Sequence, residues 1–324
     1  MTILFCGLGS IGQRHLRILK SLGVTEFIAL RSGKGKIFKS ASDIKEIPDM
    51  KELNGIKVDG ALITNPTSMH IETAIEITKI GIPLFIEKPL GNSPEKIDEL
   101  EKITRKKNIP VLMGYNLLYH PCIEAIKKFI TEDRIGKVIS ARSQFGTYMP
   151  DWHKDEDYKK SYAARVSLGG GVILTSIHEQ NYLTDFFGKV VNVKAMEVGG
   201  NILGIDAEEG VEILMKHSGG VVSNIHLNFF QKPYFRNCQV IGTEGTIYWN
   251  FMIPEVKLFY KDRTEIIKFG NGPMELLEAS YINQMKHFLD IIKKGAEPRI
   301  NLSKGIDDLN VAFKIFSETG RNLT

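Results

Sequence analysis

From Thr2 to about Gly114 short apolar, β-branched runs alternate with amphipathic stretches of helical period, the pattern of parallel βαβ units. The runs predict strands at Ile3–Cys6, Phe27–Leu30, Gly60–Thr64, Pro83–Ile86 and Val111–Met113, with helices near Ile11–Leu22, Met69–Ile80 and Pro94–Lys107 between them. Right-handed crossovers cover both faces of such a sheet, so this half is expected to be a doubly wound α/β layer with ligands at its carboxyl strand ends. After a helix near Cys122–Glu132 the texture changes. Strand-like runs follow at Val138–Phe145, Val190–Val198, Glu209–Met215, Val221–Asn228, Cys238–Ile241, Thr246–Asn250 and Val256–Tyr260, some joined by short turns such as HSGG and GTEG. They predict an α+β region with a large, mainly antiparallel open sheet. Helical patterns at Gly171–Phe187, Met274–Lys294 and Ser303–Thr319 can cover one face. The other face suits self-association, so a homodimer or homotetramer through this sheet is expected.

Length and charge narrow the class. At 324 residues the chain exceeds what a single core usually fills, which points to two domains. The formal net charge of +4 comes from dispersed lysines, unlike the basic face of a nucleic-acid binder. The one cluster, Lys102, Arg105, Lys106 and Lys107, falls late in a helical pattern, where cations suit the helix dipole. There is no apolar run of the roughly 18 residues that a membrane span needs. Cys6, Cys122 and Cys238 lack the spacing of a zinc site and read as buried thiols, so no metal is expected. The start of the chain has no basic leader, and a cytoplasmic protein is expected.

Gly7-Leu8-Gly9-Ser10-Ile11-Gly12 directly follows the first predicted strand and opens the first helix. Glycines so placed permit a tight turn, close approach of a pyrophosphate and close helix–strand packing, and the N–H groups at the helix start, those of Ser10 and Ile11 among them, can receive the phosphates. A purely structural turn is the alternative. Residues 1–120 are therefore expected to form a Rossmann-type NAD(P)-binding domain and 121–324 a substrate-binding and oligomerisation domain, with the C-terminal helix free to pack back on the first.

The second strand ends Ala29-Leu30-Arg31-Ser32-Gly33-Lys34, without the acid that commonly holds the adenosine ribose of NAD. Arg31 and Ser32 can donate to a 2′-phosphate and Lys34 adds charge, which favours NADP(H), with NAD(H) as the alternative if Arg31 is merely solvated. Beyond the third strand, Asn65-Pro66 initiates a turn and His70 begins the next helix, so all three are expected to face the cofactor. Thr67 or Ser68 could equally serve there as caps. The fourth strand ends Glu87-Lys88-Pro89. A lysine at that strand end points into the crevice where a nicotinamide lies, although such lysines are also ordinary surface charges.

Taken in order, GLGSIG, TNPTSMH, EKP, GYNLLYHP at 114–121, RIGKV at 134–138, Gly169-Gly170-Gly171 with a histidine behind it, and SYINQMKHFLDIIKKG resemble the Gfo/Idh/MocA family. That family takes its name from glucose–fructose oxidoreductase, inositol dehydrogenase and a rhizopine-catabolism protein. The resemblance covers nearly the whole chain. It implies a Rossmann domain, an open-sheet domain, a nicotinamide cofactor, and substrate between the domains. The motif glutamate falls on Glu87, near the cofactor, and the motif lysine on Lys88, which would position or polarise the reacting oxygen. Tyr115 and Asn116 match positions lining the substrate and cofactor cleft. The family's second catalytic element is an aspartate followed four residues later by a histidine. Here Thr175 takes the aspartate's place and His178 lies one residue closer. The variant resembles a branch with an S-H-E signature, represented by Ser176-Ile177-His178-Glu179, which the resemblance associates with bacterial surface-sugar synthesis.

His178 suits proton transfer at neutral pH, with Glu179 or water to orient it; a packed core histidine is the alternative. Tyr148, Asp151 and Trp152, beside His153, together with Tyr162 and Arg165, set aromatic rings among polar groups, as a carbohydrate site does. A surface loop or dimer contact would explain them too. The expected reaction is hydride transfer between nicotinamide and a carbinol or ketone carbon of a sugar-like substrate. Lys88 bonds the reacting oxygen, His178 exchanges the proton, Thr175 lines the site, and Arg165 pairs with a substrate carboxylate or phosphate. Two alternatives compete: a non-catalytic NAD(P)-sensing regulator, and an enzyme using the cofactor for transient redox without net turnover.

Overall fold

The N-terminal apolar runs become strands covered on both faces. In the computed structural model, which describes residues 1–31, 44–53, 55–152 and 157–321, β1 (Thr2–Cys6), β2 (Glu26–Leu30), β3 (Lys45–Ile47), β4 (Gly60–Ile63), β5 (Leu84–Glu87) and β6 (Val111–Gly114) form one parallel sheet in the order β3-β2-β1-β4-β5-β6. Ile3, Leu4, Phe5, Leu62, Ile63, Phe85 and Ile86 are all fully buried, as a sheet with helices on both faces requires. The crossovers include α1 (Ser10–Ser21), α2 (His70–Thr78) and α3 (Ile97–Lys107). Strand order reverses between β1 and β4, so the ligand crevice of such a sheet lies at their carboxyl ends.

This unit comprises Met1–Tyr115 together with Tyr281–Asp307. Met285, Phe288, Leu289 and Ile291 of α7 (Pro273–Lys294) join Phe5, Leu16, Phe27 and Phe85 in a single buried cluster.

The second unit holds Asn116–Ser280 and the chain from Asp308 onward. Its helices are α4 (Pro121–Thr131), α5 (Val172–Thr175), α6 (His178–Phe187) and the greater part of α8 (Leu302–Glu318). Its strands are β7 (Val138–Tyr148), β8 (Val190–Glu197), β9 (Gly210–His217), β10 (Val222–Asn228), β11 (Phe230–Gly242), β12 (Thr246–Asn250), β13 (Glu255–Phe259) and β14 (Thr264–Lys268), in the order β14-β13-β12-β11-β7-β10-β9-β8. β7 and β10 run parallel, and the other neighbours are antiparallel. Burial alternates along the strands: Ser223, Ile225 and Leu227 are buried, whereas Val222, Asn224 and His226 are exposed or half-buried. One face is therefore packed, with Tyr182 of α6 bonded to Ser143 of β7, and the other is open.

The structure corrects the sequence reading at several elements, among them the strand expected at Cys238–Ile241, which runs from Phe230 to Gly242. The helix expected over Gly171–Phe187 is broken: Ser176 leaves helical geometry at φ −106°, ψ 32° and caps α5, and α6 begins at His178. The apolar run Val172, Ile173, Leu174, Ile177, buried throughout, passes across the break and conceals it. β3 and β14 were not expected. β3 is a three-residue edge strand carrying Lys45 and Glu46, too short and polar to show a period. The helix expected from Pro94 begins at Ile97, after Lys96 with φ +60°. All three cysteines are buried and free. Among the described residues no helix is long and apolar enough to cross a membrane, and no group of three or more His, Cys, Asp or Glu could hold a metal ion.

Candidate active site

In the first unit the chain leaves β1 through Gly7, whose φ of +101° favours glycine and where a Cβ would lie 2.7 Å from the Asn65 nitrogen. Thr64 Oγ1 donates to the Gly7 carbonyl at 2.6 Å, fastening the end of β4 to the turn. A Cβ on Gly12 would also meet that carbonyl, at 2.7 Å. Gly9 behaves differently: a Cβ there would meet nothing within 4 Å, and it caps α1 without a side-chain hydrogen bond. Ser10 is exposed and Ile11 half-buried. The loop is closed against the protein and open at the helix N-terminus, where unpaired N–H groups fit a pyrophosphate. These residues fit a dinucleotide.

Leu30 pairs with Cys6, so Arg31 stands beside the glycine turn at the end of β2. It is not a merely solvated charge. Its Nη1 lies 2.5 Å from Glu46 Oε1 of β3, an acid the local motif could not reveal. Ser32 and Lys34 lie outside the described residues.

At the end of β4, Asn65 Nδ2 donates to Thr73 Oγ1 at 2.8 Å, and Pro66 is exposed. His70 is buried, with Nε2 2.9 Å from the Asn65 carbonyl and Nδ1 2.8 Å from the Pro89 carbonyl. Burial lowers its pKa, while the two carbonyls act in the opposite sense. His70, expected as a cofactor contact, ties the Asn65 turn to the Lys88-Pro89 turn.

Glu87 is likewise turned inward. Its Oε1 lies 2.6 Å from His15 Nε2, and its Oε2 accepts the Lys88 N–H at 3.1 Å. His15, fully buried on α1, sits edge-on to the rings of Phe85 and Tyr281. Helix α1 is thus linked through one carboxylate to the backbone of Lys88, which is half-buried at the end of β5. Sequence reasoning missed His15; its signal was a histidine beside Leu16 on the buried side of the first helix. Tyr115 is fully buried.

In the second unit Asn116 is buried and donates to Ser280 Oγ at 2.9 Å. The glycine triplet is packed against backbone and acid. A Cβ on Gly170 would lie 2.4 Å from the Tyr162 carbonyl, and one on Gly171, at φ +95°, would lie 2.2 Å from Glu208 Oε1. Glu208 accepts the Ile173 N–H at 2.9 Å through its side chain and the Val172 N–H at 3.0 Å through its carbonyl. It thereby fixes the short helix that leads through half-buried Thr175 to His178, which is 7% exposed.

Burial pushes the Glu208 carboxyl from 4.5 up to about 7, against the opposing Ile173 N–H. A carboxyl raised in this way favours the folded state fully below its unfolded value, and that contribution is lost as pH rises through about 7. Glu208→Gln keeps an acceptor for Ile173 and cannot ionise. Its thermal midpoint relative to the native protein is expected to rise between about pH 5 and about pH 8. A difference independent of pH would refute the assignment.

Glu179, one of the two expected orienters of His178, pairs with Arg236. It is fully buried and its Oε1 lies 2.8 Å from Arg236 Nε, and Arg236 also stacks 4.5 Å above the Phe145 ring. Trp152 Nε1 donates to Thr147 Oγ1 at 3.0 Å, and its ring meets Phe229 edge-on. Tyr148 carries the Lys232 ammonium 3.5 Å above its ring. Asp151, Tyr162 and Arg165 are exposed, and His153 lies outside the described residues.

The sheet order, the glycine turn and the lysine at the end of β5 define the first unit as a dinucleotide-binding domain of the oxidoreductase class. Comparison with known proteins is more specific. The chain belongs to the GFO/IDH/MocA family of oxidoreductases: residues 1–115 match the oxidoreductase family with NAD-binding Rossmann fold, and residues 123–248 match the GFO/IDH/MocA C-terminal domain. Levoglucosan dehydrogenase of Pseudarthrobacter phenanthrenivorans is 26% identical over 65% of this chain and 59% of its own length. Myo-inositol 2-dehydrogenase of Thermotoga maritima is 24% identical over 94% of this chain and 92% of its own. Among solved structures, levoglucosan dehydrogenase in complex with NADH has a TM-score of 0.85 at 17% identity, covering 99% of this chain and 97% of its own. A myo-inositol dehydrogenase from Corynebacterium glutamicum gives 0.79 at 22% identity, covering 99% and 97%. These likenesses establish the fold.

Proposed function

We propose that this protein is an NAD(P)-dependent dehydrogenase or reductase acting on the carbinol or ketone carbon of a sugar-like substrate. One observation carries the reading: the open glycine turn and Lys88 stand at carboxyl strand ends of a single sheet, on β1 and β5, flanking its switch point. The bound nicotinamide supplies hydride acceptance or donation. The turn at Gly7, Gly9 and Gly12 holds the pyrophosphate, with the N–H groups of Ser10 and Ile11. Asn65 and Pro66 border the cofactor, held in place by His70, and Lys88 hydrogen-bonds the reacting oxygen. His178 exchanges the proton that leaves or joins that oxygen as hydride moves. Thr175, Tyr115, Asn116 and the Tyr148–Trp152 segment with Tyr162 and Arg165 serve substrate and cofactor contacts.

The NADP(H) preference rests on Arg31, Ser32 and Lys34; the Glu46 carboxylate offsets Arg31, which admits NAD(H) as well. Three buried, free cysteines suit a reducing, cytoplasmic compartment, and the open face of the eight-stranded sheet suits a second copy of the chain. Fluorescence titration with NADH and NADPH, followed by a panel of polyols and keto-sugars, tests the reading. Saturable binding and turnover of the nicotinamide by at least one sugar is the expected result. Binding without turnover would move the assignment to the regulator or transient-redox reading, and no binding of either dinucleotide would end it.

A further inference from the structure

We infer that Glu46 is the specificity-determining residue for the choice between NAD(H) and NADP(H), acting through its ion pair with Arg31. The inference rests on the dinucleotide reading above and narrows it. Ala29 pairs with Glu46 and Leu30 with Ile47, and the Arg31 N–H bonds the Ile47 carbonyl at 3.0 Å. The pair therefore stands at the carboxyl end of β2, where the adenosine ribose of a dinucleotide lies. The sequence places no acid at the tip of β2 itself; β3 supplies one fifteen residues further on.

The geometry sets two charges against each other. The Arg31 side chain is 9% exposed and that of Glu46 38%, so solvent screens the pair only partly. A 2′-phosphate brings negative charge and acceptor oxygens. It would have to draw the guanidinium from Glu46 and then sit beside an uncompensated carboxylate. A ribose 2′-hydroxyl meets neither obstacle, since it can donate to the carboxylate. Arg31 thus favours the phosphorylated cofactor, Glu46 favours the unphosphorylated one, and removing either charge tips the balance.

The test is the ratio of NADPH to NADH dissociation constants for the full-length protein, measured by fluorescence titration at low and high salt. Glu46→Gln is expected to shift the ratio at least tenfold toward NADPH, with the shift shrinking in high salt. Arg31→Gln is expected to move it the other way. A merely structural role would change both affinities by a common factor, and that result in both variants overturns the inference, as does a shift toward NADH in Glu46→Gln. Failure of the underlying reading looks different: the native protein would bind neither dinucleotide.

Discussion

Replacement of Lys88 by alanine is expected to lower kcat by about 10²- to 10⁴-fold, the range for loss of a positioned proton donor, with dinucleotide binding little changed. Lys88 directly follows β5, and its backbone N–H is held by Glu87, which is held in turn by His15 at 2.6 Å. That buried chain fixes the main chain whatever side chain follows, so the variant reports the missing ammonium and not a collapsed turn. Arginine is not expected to rescue it, because a planar guanidinium cannot place a point charge where the shorter ammonium sits. Steady-state kcat and KM alongside NADH and NADPH titrations check this. Turnover within a few-fold of the native rate, or an equal loss of cofactor affinity, would remove Lys88 from the catalytic role.

The second large effect concerns stability. Arg236→Ala leaves the fully buried Glu179 carboxylate without its guanidinium, and breaking a buried pair from one side costs about 3–5 kcal/mol. Removing both charges, as in Glu179→Met with Arg236→Met, is expected to be milder than the single truncation because no lone charge stays behind. Urea unfolding of the three proteins distinguishes them, and a double variant as unstable as Arg236→Ala would refute the account. Since Glu179 follows His178, the single variant is also expected to lose activity before it unfolds globally.

What the sequence disclosed, and what it hid, follows from range. The Rossmann half was legible because a glycine turn between a β-branched run and an amphipathic helix is a local signal, complete within residues 2–22. The place of Lys88 at a strand end was legible because the apolar run before it is local. Glu46 was not, because its meaning lies in a strand partner across β2 and β3. His15 and Glu87 are 72 positions apart, and each alone reads as an ordinary polar residue. The break at Ser176 was hidden for a different reason: a buried apolar run, Val172, Ile173, Leu174 and Ile177, passes straight across it. The break makes His178 the first residue of α6.

The contribution of Tyr281–Asp307 to the first unit has a consequence for biosynthesis. Met285, Phe288, Leu289 and Ile291 complete the cluster around Phe5, Phe27 and Phe85, yet they emerge from the ribosome only after the whole of residues 116–280 has been made. The nascent nucleotide-binding half must wait with part of its apolar surface uncovered, the state in which chains most often aggregate. The order of translation and the order of closure run against each other in this protein.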